Sequence, residues 1–353
     1  MPTTVTMCHD LHRRFPGQTE TMRLSVLDQS VSVAGSTEGA AIRDTLDLAQ
    51  HCERLGYARF WVSEHHGLPT IVGSAPEMLM AAIAARTTRI RIGSAGVMLP
   101  HYSALKVAEQ FRVLEALAPG RIDLGVGRAP GGDMRTARAL NPNAHAAADA
   151  FPEQVRDLQA WTALPSHLGI AAHPLGEHAP EVWILGSSNY GAQLAAHFGL
   201  PYAYAYFFVD GHGADEALAL YRRLYRPSER HPEPQATVCV WALVADTAEE
   251  ATHHALGRER WRLDRERGIL GPLQAPDPIA ARGFTSAEWL TVEAMRRKAF
   301  VGDAAQVGAR LRALASELQL DEIVVNTWAH EPQVRRHSYA LLATEFGLDA
   351  ACN

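Results

Sequence analysis

Lysine is nearly missing from this chain: it occurs only as Lys106 and Lys298, among 33 basic residues. Positive charge is also outnumbered, since 39 acidic residues leave a formal net charge of -6. A chain of this balance has no basic face for neutralising phosphates along a duplex, which excludes nucleic acid as a partner. Cysteine is scarce as well. Cys8, Cys52, Cys239 and Cys352 have neither metal-ligand nor redox spacing, so a disulfide framework and a zinc site are excluded and a reducing, cytoplasmic compartment is expected. Long apolar runs are lacking too. Span 182–209 contains no Asp, Glu, Lys or Arg, but its Gly, Ser, Asn, Gln and Pro make a poor membrane helix. It reads as two buried strands around a short helix. Residues 1–21 have no apolar stretch of signal-peptide length. They are expected to form a flexible extension ahead of one folded domain, 22–353.

What is present is the composition of a folded soluble protein, 353 residues with 47% hydrophobic and 20% charged side chains. Short β-branched or apolar runs alternate with stretches of helical period, the pattern of parallel βαβ units. Eight strands can be placed, at 24–27, 60–63, 90–94, 122–126, 182–185, 202–206, 238–244 and 322–326. Helix 38–55 stops at Gly56, while Ser74 and Pro76 open a second helix through Arg86. Val107, Phe111, Leu114 and Leu117 mark the core-facing stripe of a third. Eight such units in order predict an α/β fold, a single (β/α)8 TIM-type barrel, with an open doubly wound sheet as the alternative. Insertions follow strand 4, at 129–150 and again at 165–180, and strand 7, at 268–286 before a helix at 287–299. Long insertions in a barrel usually cover or gate its site.

A barrel assembles its site at the carboxyl ends of its strands. Here those ends carry Asp28-Gln29-Ser30, Glu64-His65-His66, Ser94-Ala95-Gly96, Gly127-Arg128, Gly186-Ser187-Ser188 and Asn326-Thr327-Trp328. An acid, two imidazoles, an arginine and a helix-opening Gly-Ser-Ser could together hold a phosphate and move protons, although each alone is also a capped turn. Glu64, His65 and His66 include common zinc ligands, but adjacent histidines at a strand end diverge and no other strand end completes a set. Hydrogen bonding or proton transfer suits them better, with plain packing as the bland alternative. Gly125 to Gly131 looks like a dinucleotide fingerprint whose third glycine comes one residue late, and Pro130 argues against a helix opening there. Arg128 could instead clamp a phosphate. Gly186-Ser187-Ser188 precedes a helix from about Asn189, where amides and hydroxyls either converge on an anion or simply cap the helix. Trp183, Trp328, Tyr206 and Phe207 line an apolar pocket or belong to the core.

Four motifs taken together resemble the bacterial luciferase-like flavin monooxygenases. They are Leu24-Ser25-Val26-Leu27-Asp28-Gln29-Ser30, Trp61-Val62-Ser63-Glu64-His65-His66, Val97-Met98-Leu99-Pro100 and Gly120-Arg121-Ile122-Asp123-Leu124-Gly125-Val126-Gly127-Arg128. The likeness extends from about Arg23 to Gly347 and includes Val301-Gly302-Asp303. It implies a non-luminous oxidoreductase that uses FMN, usually reduced flavin delivered by a separate reductase. Oxygen adds at flavin C4a and the resulting C4a-peroxide oxygenates a small organic substrate. By the same resemblance His65 lies beside the flavin and supports the peroxide, with Glu64 and His66 completing the catalytic motif. Arg128, Ser187 and Ser188 surround the FMN phosphate, and Ala95-Gly96 forms a non-prolyl cis peptide beneath the ring. With Ser94, Gly186 and Gly191 these make the expected cofactor-binding set; no metal is expected. Two positions depart from the family pattern: Phe151-Pro152-Glu153-Gln154 stands where a second phosphate arginine can occur, and Gly191 stands where a hydroxyl can. Loop 129–150 is expected to help cover the site. The apolar run Met78 to Ala85 and the family's pairing habit imply a homodimer through the second and third helices. A deazaflavin-dependent hydride-transfer enzyme and a non-catalytic flavin-binding protein are the alternatives.

Overall fold

Apolar runs too short for a helix, bounded by Gly, Pro or Asp, become parallel strands in the computed structural model, which describes residues 22–129, 132–163 and 169–348. The extension expected at 1–21 lies outside the described residues. β1 (Arg23–Asp28), α1 (Glu38–Arg54), β2 (Arg59–Val62) and α2 (Pro76–Ala84) come first. β3 (Arg91–Met98), α3 (Ala104–Leu117) and β4 (Ile122–Gly127) come next, and then three helices, α4 (Met134–Leu140), α5 (Ala144–Asp149) and α6 (Phe151–Thr162). β5 (Glu181–Gly186), α7 (Asn189–Phe198), β6 (Tyr202–Tyr204), α8 (Ala214–Leu224) and β7 (Ala236–Val244) continue the alternation. The long excursion after β7 contains α9 (Ala248–Glu266), α10 (Pro276–Arg282), α11 (Ser286–Lys298), β8 (Phe300–Gly302) and α12 (Ala304–Leu318). β9 (Glu322–Asn326) and α13 (Pro332–Phe346) end the fold.

β1 pairs with both β2 and β9, β9 with β7, and β7 with β6, so that seven strands and β9 close an eight-stranded parallel barrel. The insertions fall after the fourth and seventh strands, as expected. β8 was not expected: it pairs with the outer end of β7, Phe300 beside Ala242, and stands outside the ring. The sixth strand is shorter than the sequence predicts, because residues 206–208 wind into a tight 3₁₀ turn.

Strict alternation along the strands builds two cores. Val26, Phe60, Ile184, Val240 and Val325 face outward under the helices, each fully buried. Their neighbours Leu27, Trp61, Trp183, Cys239 and Val324 fill the barrel interior. Trp61 and Trp183 meet edge to face at 5.2 Å, and each buried side chain of such size contributes roughly 1.5–3 kcal/mol. On α3 the stripe needs one correction. Val107, Phe111 and Leu114 are buried, but Leu117 is 59% exposed and Ala118 takes the core position, because four residues from Leu114 stay nearer one face than three.

The amino ends of the strands converge on Arg59. Its guanidinium reaches Glu322 at 3.0 Å, Asp123 at 2.8 Å and Glu181 at 3.1 Å. Arg91 bonds Asp123 as well, Trp61 Nε1 donates to Asp123 at 2.9 Å, and Trp183 Nε1 donates to Glu181 at 3.0 Å. Burial alone would raise the Asp123 carboxyl, but Arg59 and Arg91 outweigh it and hold the group below the usual carboxylate range. No helix among the described residues is long and apolar enough to cross a membrane.

Candidate active site

The carboxyl ends of the strands divide into three zones: an anion cradle, a shelf of small residues and a cavity. The cradle forms where β5 turns into α7. Ser188 occupies the helix N-cap with extended backbone, yet its hydroxyl makes no capping bond. Ser187 beside it is half-buried. Across the turn the exposed Arg128, just past β4, makes no ion pair among the described residues and stacks its guanidinium 4.0 Å from the Tyr190 ring centre. The turn is tight around Gly191. A Cβ on Gly191 would meet the Tyr202 ring at 3.2 Å and the Cα of Gly186 at 3.4 Å. A side chain at position 191 would have to push the Tyr202 ring aside by a few tenths of an ångström. Position 154, in the stretch where a second phosphate arginine can occur, holds Gln154 bonded to the Tyr102 carbonyl at 3.3 Å.

The shelf runs from Ala95 and Gly96, joined by a cis peptide, to Leu185, which packs with Ala95 on top of the barrel interior. A Cβ on Gly96 would lie 2.6 Å from the Gly125 carbonyl oxygen, so only glycine lets β3 and β4 approach this closely. Ser94 is fully buried and its hydroxyl donates to that same carbonyl at 2.8 Å. Its side chain belongs to the barrel wall rather than to a ligand surface.

The two histidines after β2 are separated. Glu64 is buried and both its oxygens are engaged, accepting from Tyr102 Oη at 2.7 Å, from His66 Nε2 at 2.7 Å and from the Met98 amide at 3.0 Å. It thereby ties His66 to the end of β3, away from the cavity. His65 turns the other way and lines the cavity. Its Nδ1 lies 3.1 Å from Ser63 Oγ; with the serine donating, Nε2 carries the ring proton toward the cavity. Burial drives its pKa down, Glu64 opposes, and His66 and Arg265 add to the fall, leaving it at about 4. The ring is neutral at physiological pH.

The cavity, of about 400 Å³, is walled by Phe207, Trp328, Asn326 and Gln29 and roofed by α9, which contributes Arg258, Trp261, Arg262 and Arg265. Gln29 accepts at Oε1 from Asn326 at 2.6 Å and from Trp328 at 3.0 Å, which fixes this wall. Of the aromatics expected at a pocket, Trp328 and Phe207 line it. Trp183 lies inside the barrel, and Tyr206 packs against Phe300. No described residue of 129–150 reaches the cavity lining. That insertion leans on the β2 loop, where Gly132 sits against the His66 carbonyl, and Asn141 donates to the Pro100 carbonyl at 2.8 Å. The roof comes from the excursion after β7 instead.

The α9 arginines were missed in the sequence because a run of Arg and Glu reads as a solvated face. The spacing 258, 262 and 265 was the available signal, since these positions share one side of a helix. Arg262 is held bidentately by Asp210 at 2.9 and 2.8 Å. Arg258 is 9% exposed, with its guanidinium carbon 4.2 Å from the centre of the Trp241 ring. Burial lowers its pKa to about 9, with Arg262 adding to the fall and Asp210 and Glu259 opposing it, so it remains a cation at neutral pH.

A closed parallel barrel with a Gly-Ser-Ser turn, a glycine shelf and a histidine-bearing cavity at one end has the architecture of a barrel enzyme. The luciferase-like monooxygenase family model matches residues 22–321, and the chain belongs to that family. A luciferase-like monooxygenase of Escherichia coli K12 is 39% identical over 324 residues, 91% of this chain and 96% of that one. The crystal structure of apo-MsnO8 matches with a TM-score of 0.88 at 35% identity, over 93% of this chain and 99% of that one. The FMN complex of the oxygenating constituent of 3,6-diketocamphane monooxygenase, from Pseudomonas putida, shares the fold with a TM-score of 0.68 at 16% identity, over 92% and 98%.

Proposed function

We propose that this chain binds reduced FMN across the barrel mouth and uses molecular oxygen to oxygenate a small organic substrate held in the cavity. The observation that carries this reading is the set of unengaged anion donors, Arg128 and the Ser188 hydroxyl, placed beside a shelf that only small residues permit. The cradle fits a phosphate, with Arg128, Ser187, Ser188 and the first amides of α7 as its donors and with Gly186 and Gly191 admitting the close approach. Ala95, Gly96 and Leu185 suit the flat ring. When bound, reduced FMN would supply the electrons that activate oxygen at its C4a carbon.

The chain's own residues do the rest. His65, neutral and aimed into the cavity, offers a hydrogen bond to oxygen bound there without releasing a proton to it. Glu64 acts through others, fixing His66, Tyr102 and the end of β3. Trp261 and Trp328, edge to face at 4.8 Å, give the chamber an apolar wall. A separate reductase supplies the flavin. Two copies pair across α2 and α3, where Met78, Val113 and Leu117 are exposed. The compartment is the cytoplasm.

Anaerobic titration with reduced FMN, followed by mixing with oxygen, tests the reading. Arg128→Ala should weaken reduced-FMN binding by about 1.5–3 kcal/mol. His65→Ala should leave that affinity intact and raise the hydrogen peroxide released per flavin oxidised. Tighter binding of reduced deazaflavin than of reduced FMN, or unchanged FMN affinity in the Arg128 variant, would overturn it.

A further inference from the structure

Among the described residues Arg258 has no ion-pair partner. Two carboxylates influence it, Asp210 and Glu259, and both are engaged elsewhere. Asp210 gives both oxygens to Arg262, and Glu259 gives both to Arg296 at 2.6 and 2.8 Å. The remaining acid on the cavity lining, Glu266, lies eight residues along α9, about 12 Å of helix. Among the described residues no hydrogen bond or ion pair engages the Arg258 guanidinium, which lies over the Trp241 ring. The Arg258 side chain lines the cavity, so a ligand there could take up its fork of N–H donors. A buried charge costs several kcal/mol of desolvation unless something pairs with it. The nearest acids are withheld from it, although a shift of Asp210 would satisfy it.

The same wall selects the rest of the ligand. Phe207, Trp328 and Trp261 present apolar surface, and His65 supplies a neutral donor rather than a second charge. We infer that Arg258 is the specificity anchor of the cavity, and that the substrate is an organic carboxylate with an apolar body whose carboxylate the guanidinium grips. The assignment rests on reading the cavity as the substrate chamber. It does not depend on which atom of the substrate is oxygenated.

The test is calorimetric titration of phenylalkanoates, from phenylacetate to phenylhexanoate, each against its uncharged amide, on FMN-free and FMN-loaded protein. At least one carboxylate should bind about tenfold or more tighter than its amide, and FMN should not displace it. R258Q should collapse that ratio to near unity, and R258K should keep part of it, having the charge without the fork. R258K also serves if R258Q fails to fold. Absence of a carboxylate preference at every chain length, including no binding at all, overturns the proposal. So does a preference that survives R258Q, or one abolished by FMN or by R128A, which would put the anion in the phosphate cradle. Loss of FMN affinity in R258Q with the carboxylate preference intact would assign the arginine to the flavin instead. Failure of the flavin reading is separable: FMN would then not bind, while the Arg258-dependent preference would persist.

Discussion

The two ends of this barrel handle charge in opposite ways. At the amino end Arg59 faces three carboxylates and Arg91 supports it, so every charge of this cluster is paired. At the carboxyl end Arg128 and Arg258 rest on aromatic rings and make no ion pair among the described residues. Both ends are built from the same eight strands, so the difference lies in which side chains stand at each strand terminus and in the segments attached there. Complete pairing closes the barrel floor. Incomplete pairing at the mouth leaves electrostatic demand for something outside the chain to meet.

The largest test of the contrast removes the partner at the closed end. Arg59→Met should cost about 3–5 kcal/mol, because it takes the closest cation from the buried Glu322, leaving only the half-exposed Arg23 at 3.5 Å. Urea denaturation checks it, and the deficit should shrink as pH falls and the stranded carboxyls take up protons. A loss under about 1 kcal/mol would make the two ends equivalent.

At the open end the comparable probe is pH. His65 binds its proton near pH 4 when folded and near its ordinary 6.5 when unfolded. Between those values the unfolded chain holds more protons, so stability contributed by the neutral ring is complete above pH 6.5 and is lost as pH falls toward 4. The full loss is at most about 3 kcal/mol. His65→Gln should flatten that slope in thermal melts between pH 7 and pH 4; an unchanged slope would show that His65 is not desolvated.

The smallest effect on stability is expected on the outer wall. Met78→Glu should change monomer stability by no more than about 0.5 kcal/mol, since Met78 is 69% exposed, yet should weaken self-association in sedimentation velocity. Met80, in the same apolar run, is fully buried and would fold poorly as Glu. A wild-type chain that sediments as a monomer at micromolar concentration would remove the pairing altogether.

Much of the frame was legible in the sequence because alternation and helical period are local. All eight barrel strands were placed, along with the Ala95-Gly96 peptide and the turn at Gly186-Ser187-Ser188. The stray strand β8 was not, since three residues are too few to show a period. Insertion 129–150 read as irregular, yet it contains α4, whose N-cap Asp133 accepts from the Thr136 amide at 2.7 Å. Glu64-His65-His66 was found as a unit, but its division of labour depends on Tyr102 and Met98, more than thirty residues away. Arg258 was beyond reach for a similar reason: its lack of a partner is decided by what Asp210 and Glu259 bind, and no run of sequence states that.

The roof has one further implication. The cradle and shelf come from the ends of β3, β4 and β5, whereas Arg258, Trp261 and Arg265 all sit on α9, a stretch joined to the barrel at β7 and β8. On the proposed reading, flavin handling and the charge that selects substrate occupy separate lengths of one chain. A lineage could revise the second by altering a single helix while inheriting the first untouched, so that new substrates need not await a new oxygen chemistry.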